Sequence, residues 1–242
     1  MRGQRAASRR PAIVGLVAAA SLVGAVLPGA AQAKITEMGA IEPGAIGSCP
    51  AAGATLATVP AGETCQALTK LTAYQAKVGP DRELYRAPED GRIVAWTVAL
   101  GKPTAAQIKY FEERYGGSAQ AAVIVLDPGK KLSRQVVAKA PIRKLTGFLG
   151  QTVQFPLEES LAVKKGQYVG LTVPTWAPAM QLGRLADTSW RSSRDASGCF
   201  DYTTQFGLLG KRTSALFRCL YKGVRLTYSA TFIGSPRAAK AK

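Results

Sequence analysis

Apolar strand-forming runs, some alternating with polar residues at a period of two, recur along this chain between Pro- and Gly-containing turns at spacings of roughly ten residues. That rhythm marks β-strands with one face toward a core. The longest strand-forming run is Gly91 to Leu100, GRIVAWTVAL, introduced by Ala87-Pro88-Glu89-Asp90-Gly91, where proline and glycine supply turn geometry. Strict alternation places Val94, Trp96, Val98 and Leu100 on one face and Ile93, Ala95, Thr97 and Ala99 on the other. Both faces are largely apolar, which predicts an internal strand covered on both sides.

Further strands are expected at Leu68 to Lys77, Ala121 to Leu126, Leu132 to Ala138, Thr152 to Leu157, Gln167 to Val173 with Pro174 as its stop, and Met180 to Leu185. Val224 to Phe232 closes the series with the cleanest alternation: Val224, Leu226, Tyr228, Ala230 and Phe232 inward, Arg225, Thr227, Ser229 and Thr231 outward. After Gly101 the period changes. Thr104 and Gln107 form a capping box, Ile108, Phe111 and Tyr115 recur at helical spacing, and Gly116-Gly117 ends the helix. These strands with a single helix predict an all-β fold: an antiparallel β-sandwich, jelly-roll-like, with one short crossover helix.

The first 33 residues read differently. Arg2, Arg5, Arg9 and Arg10 precede the uncharged run Ile13 to Leu27, and Ala31-Gln32-Ala33 offers a small-x-small cleavage pattern. This predicts a secretory signal peptide, 1–33, too short in its apolar part to span a bilayer. Residues 34–67 form an irregular entry segment, 68–233 the sandwich, and 234–242 a basic, disordered tail. Cleavage after Ala33 lowers the 32 cationic residues by four to 28 against 15 acids, a net charge near +13. Such an excess favours polyanionic partners, an extracellular polymer or glycan, over neutral ones. No zinc-finger or helix-turn-helix pattern points to a specific nucleic acid.

Four cysteines on an exported chain, Cys49, Cys65, Cys199 and Cys219, predict two disulfides. Their separations favour Cys49–Cys65 and Cys199–Cys219, and no CxxC spacing or histidine supports a metal site or a cofactor in their place. The absence of histidine excludes Ser-His-Asp and Cys-His nucleophile systems, and the absence of asparagine excludes glycosylation sequons. A carboxylate pair remains chemically available, but Glu89-Asp90, Asp127 and Glu158-Glu159 all read as turn residues. The stretch Thr175 to Tyr202 reads as a loop region, where binding groups gather. It holds the candidate binding residues Trp176, Asp187, Trp190, Arg191, Arg194 and Tyr202, whose rings and planar cations suit a sugar or an anionic group.

The run Tyr85-Arg86-Ala87-Pro88-Glu89-Asp90-Gly91-Arg92-Ile93-Val94-Ala95-Trp96 resembles the strand entry of uncharacterised secreted bacterial β-sandwich proteins. Gly223 to Ala230 is similar to a late strand of the same group, so the resemblance covers most of residues 40–233. It implies a fold and no activity. At the level of architecture the chain is also similar to carbohydrate-binding modules, many of which hold a structural calcium; no ligand set for one is matched here. These readings lead to a non-catalytic protein associated with the cell envelope or an extracellular polymer. A carboxylate-dependent enzyme acting on polysaccharide and a structural or assembly domain are the alternatives.

Overall fold

The computed structural model describes residues 33–45, 47–49 and 65–235; the expected signal peptide and most of the basic tail lie outside the described residues. The strands are β1 (Ile35–Met38), β2 (Leu68–Lys77), β3 (Gly91–Ala99), β4 (Gln120–Pro128), β5 (Ser133–Lys139), β6 (Arg143–Lys144), β7 (Thr152–Val163), β8 (Tyr168–Ala177), β9 (Met180–Gln181), β10 (Ser189–Ser192), β11 (Ser214–Leu216), β12 (Cys219–Lys222), β13 (Arg225–Leu226) and β14 (Tyr228–Gly234), with helix α1 (Ala105–Tyr115) between β3 and β4. One sheet has the order β1-β14-β3-β7; the larger one runs β11-β5-β4-β8-β2-β10-β12, with β6 beside β4 and a separate β13-β9 pair. Every pairing between these strands is antiparallel. The chain is an all-β sandwich with its helix on the crossover between the two sheets.

The organising strand is internal, between β14 and β7, as its two apolar faces require. Its phase differs from the strict alternation. The register slips between Ile93 and Ala95 against β7, and between Thr231 and Phe232 against β14. Against β14, Val94 is the extra residue, whereas against β7 residues 157–160 of β7 stand opposite it; the bulge at Val94 reverses the facing of everything before it. Ile93 therefore joins Trp96, Val98 and Leu100 in the core, and Val94 is only half-buried. Facing them from the larger sheet are Leu71, Val123, Val125, Leu171 and Val173. The other face of β4 is covered too: Ile124 and Leu126 pack with Tyr74, Val136, Leu208 and Phe217 in a second, smaller core. The uninterrupted apolar run of β4 reflects those two covers.

Helix α1 starts on the reciprocal Thr104–Gln107 capping box and ends at Gly116, whose φ of 88° is the left-handed conformation that glycine adopts without a Cβ penalty. Its buried side presents Phe111 and Tyr115 to the sandwich.

Several boundaries depart from expectation. Strand β8 continues through Pro174 to Ala177. The proline is tolerated because β4 pairing stops at Thr172 and β2 is bulged at Lys70, φ 47°, so no ladder hydrogen bond is lost there. Strand β7 runs on to Val163, so Glu158 and Glu159 are strand residues, not turn residues, and Asp127 lies within β4. The entry segment is not wholly irregular: β1 pairs with β14 and accounts for burial on the expected outward face of the last strand. Ser229 and Thr231 donate to the carboxylate of Glu37 in β1, and Thr227 donates to the Ala99 carbonyl. Arg225, also expected outside, is buried against Glu42. Both disulfides form as expected, Cys49–Cys65 and Cys199–Cys219.

Candidate functional site

The segment expected to be a loop contains short strands, and these position its aromatic side chains. Trp190 lies in β10, directly opposite Tyr221 in β12, and their rings stack at 4.2 Å with 17° between planes. Opposed aromatics across an antiparallel pair add to the area they bury. Two residues beyond β10, Arg194 turns inward and is only 2% exposed. One terminal nitrogen donates to the Tyr221 hydroxyl at 3.2 Å; the other donates to the carbonyl and hydroxyl oxygens of Thr69 at 3.0 and 2.9 Å. The Tyr202 ring covers the guanidinium, 4.8 Å from its central carbon. The Nε atom of Arg194 and the indole Nε1 of Trp190 are buried without a hydrogen-bond partner.

Phe200 and Tyr202 sit on the loop that the Cys199–Cys219 disulfide closes, the second cysteine being the first residue of β12. Between the two rings, Asp201 caps the turn: its Oδ1 accepts from the backbone N–H groups of Thr203 and Thr204 and from the Thr203 hydroxyl. Hydrogen bonds from Thr204, then Thr203, hold this carboxyl well below the usual carboxylate range. Burial raises the Tyr202 phenol above its ordinary value, opposed by the Arg194 charge.

These groups border a cavity of about 810 Å³ between the end of the larger sheet and α1. The helix contributes Tyr110, Phe111 and Tyr115, so seven aromatic side chains line the space together with Trp190, Phe200, Tyr202 and Tyr221. Phe200 is 79% exposed and Tyr110 and Tyr202 just over 40%, an apolar rim left open to water. The described lining residues include two cations, Arg194 and Lys222, and no Asp or Glu.

Of the six residues singled out in sequence, Trp190, Arg194 and Tyr202 meet at this cavity. Trp176 does not. It is fully buried in β8, donates its indole N–H to the Gly117 carbonyl at 2.9 Å and stacks on Phe111 at 4.8 Å, a core role that joins helix to sheet. Arg191 follows Trp190 in the same strand and so faces the opposite side, where it donates to the carbonyls of Phe217 and Arg218. Asp187 is exposed beside Gly79 and Arg184, in a shallow depression away from the rings. Tyr221 and the three helix aromatics were not singled out in sequence. The spacing of Phe111 and Tyr115 marked them as core, and nothing local signals that β12 lies against β10.

The acids occupy a different region. Asp90, Asp127, Glu158 and Glu159 border an open groove of about 1190 Å³ on the far side of β7, together with Arg92, Lys139, Lys164 and Lys211. Asp90 accepts from the Lys165 backbone N–H, and Asp127 from the side-chain amide of Gln167, both at 2.8 Å. Among the described residues no three His, Cys, Asp or Glu side chains gather as metal ligands, and no helix is long and apolar enough to cross a membrane. Comparison of the chain with protein-family models, with curated proteins and with solved structures returns no match.

Proposed function

We propose that this chain is an exported, non-catalytic β-sandwich that associates with the cell envelope or an extracellular polymer of anionic or carbohydrate character. It holds a segment of that polymer against the aromatic wall of the Trp190–Tyr221 cavity. The observation that carries this reading is the composition of that wall: rings for stacking, two cations, and no described carboxylate to oppose an acidic ligand. The excess of Lys and Arg over acids supplies a long-range field of the same sign. Two disulfides accord with an oxidising destination. The test is retention of the mature chain on an immobilised uronate polymer at low salt, with elution as salt rises. A Trp190→Ala variant that elutes with the wild type, or a wild type that is never retained, sinks the reading.

A second reading, a carboxylate-dependent enzyme on polysaccharide, is favoured by the grouping of Asp90, Asp127, Glu158 and Glu159 around one groove. It requires release of new reducing ends from a polysaccharide and loss of that release in Asp127→Asn or Glu158→Gln.

A further inference from the structure

We infer that the cavity selects one kind of ligand unit, a single acidic group carried on a ring-bearing or otherwise apolar body, with Arg194 as the counter-ion. This inference rests on the cavity being the binding site. Its starting point is the condition of Arg194. The guanidinium is a cation and is buried, yet Arg194 takes part in none of the ion pairs among the described residues. All its partners are neutral: a hydroxyl and a carbonyl of Thr69, the Tyr221 hydroxyl and the face of Tyr202. A buried cation served only by neutral acceptors is costly, and the fold offsets that cost elsewhere. By contrast Arg225, comparably buried, meets the Glu42 carboxylate.

The cover over Arg194 is the movable kind. Tyr202 is 42% exposed and belongs to a loop outside the ladder of either sheet. An acidic oxygen arriving along the cavity takes the place of that ring against the guanidinium and exchanges a cation–π contact for a charge-assisted hydrogen bond. Lys222, exposed on the rim, adds a second positive charge on the approach. The rest of the wall is mainly aromatic and aliphatic, with Gln66 and Thr69 as its uncharged polar residues, and about 810 Å³ accommodates a compact organic ligand or one residue of a polymer. Aromatic cages of this kind also hold quaternary ammonium groups, but two cations in the wall repel them.

The experiment uses the exported chain with both disulfides formed and two fluorescent probes of nearly the same shape, anilinonaphthalene sulfonate and its uncharged parent phenylnaphthylamine. The expected result is saturable binding of one sulfonate probe per chain, about tenfold tighter than the uncharged probe and weakened by salt. Arg194→Gln should remove that preference while leaving the uncharged probe bound, and Phe200→Ala should weaken both. Should Arg194→Gln not fold, as judged by its melting transition, the wild-type ratio and the exposed variant Lys222→Gln decide, the latter lowering sulfonate affinity alone. Equal affinity for the two probes overturns the requirement for an acid and leaves the cavity as a site for neutral rings. Failure of both probes to bind removes the cavity as a binding site altogether.

Discussion

Tyr85 donates its hydroxyl hydrogen to the backbone carbonyl of Tyr228 at 2.7 Å, and the two rings pack 4.7 Å apart. Tyr228 in turn donates to the Val169 carbonyl at 2.8 Å. The turn before β3, the closing strand β14 and strand β8 of the opposite sheet are thereby joined through two buried phenols. Tyr85→Phe keeps the ring and deletes the first donor from a site 1% exposed. The Tyr228 carbonyl loses a buried partner, at a cost of about 1–3 kcal/mol. Urea unfolding should show a lower midpoint with an unchanged slope.

The same pair makes the fold sensitive to alkali. Burial, the largest influence on each, raises both phenols above their ordinary value of 10.0, Tyr228 with a further push from Tyr85. A group whose folded-state value is raised holds its proton longer in the native chain than in the unfolded one. Its contribution is complete below the unfolded value near 10 and declines as pH rises beyond it. Absorbance of ionised phenol, followed upward in pH, should lag furthest for Tyr85 and Tyr228 among the eight tyrosines, and their ionisation should coincide with loss of the native circular dichroism. Free titration of all eight before unfolding would contradict their burial.

Much of this architecture is legible from residue order. Strand β2, helix α1 with its caps, and both disulfides follow from alternation, a capping box and cysteine spacing. What escapes is anything that depends on a neighbour distant in sequence. Alternation cannot locate the bulge at Val94, because the slip exists only relative to β7 and β14. Pro174 reads as a stop, and only the interrupted pairing around it allows β8 to pass through. The site divides in the same way. Trp190, Arg194 and Tyr202 could be picked out as aromatic and cationic residues near Cys199, whereas Trp176 and Arg191 have the same chemistry and face elsewhere. Local composition identifies residue types; the strand face decides which of them meet.

Arg225 illustrates the consequence for stability. Outward by alternation, it is 7% exposed at its side chain because the entry segment folds back and Glu42 accepts from both Arg225 and, at 3.1 Å, Arg184. Glu42 itself is 40% exposed, so water screens part of the interaction. Glu42→Ala leaves a buried guanidinium short of its anion and should destabilise by roughly 1–3 kcal/mol, less than a fully buried pair would lose. Arg184→Ala, which removes only the outer partner, should cost well under half as much. Thermal melts of the two variants give the comparison, and equal losses would show that Arg225 does not need Glu42.

The cavity rim depends on a capped turn whose charge is easily removed. Asp201 stands between Phe200 and Tyr202 and accepts three hydrogen bonds from Thr203 and Thr204, which keep its carboxyl ionised to unusually low pH. Because its folded-state value is depressed, its contribution is complete above the ordinary 3.8 and is lost as pH falls from there through the folded value. Asp201→Ala deletes the acceptor at every pH. The turn is exposed and outside the sandwich core, so the melting transition should move little while the two rings lose their fixed placement. The expected signature is weaker binding of the sulfonate probe by Asp201→Ala at neutral pH. Wild-type affinity should change little from neutral pH to well below the ordinary carboxylate value of 3.8, because the carboxyl stays ionised in the folded turn. A variant that binds as tightly as the wild type would show that Phe200 and Tyr202 are positioned by the Cys199–Cys219 closure alone.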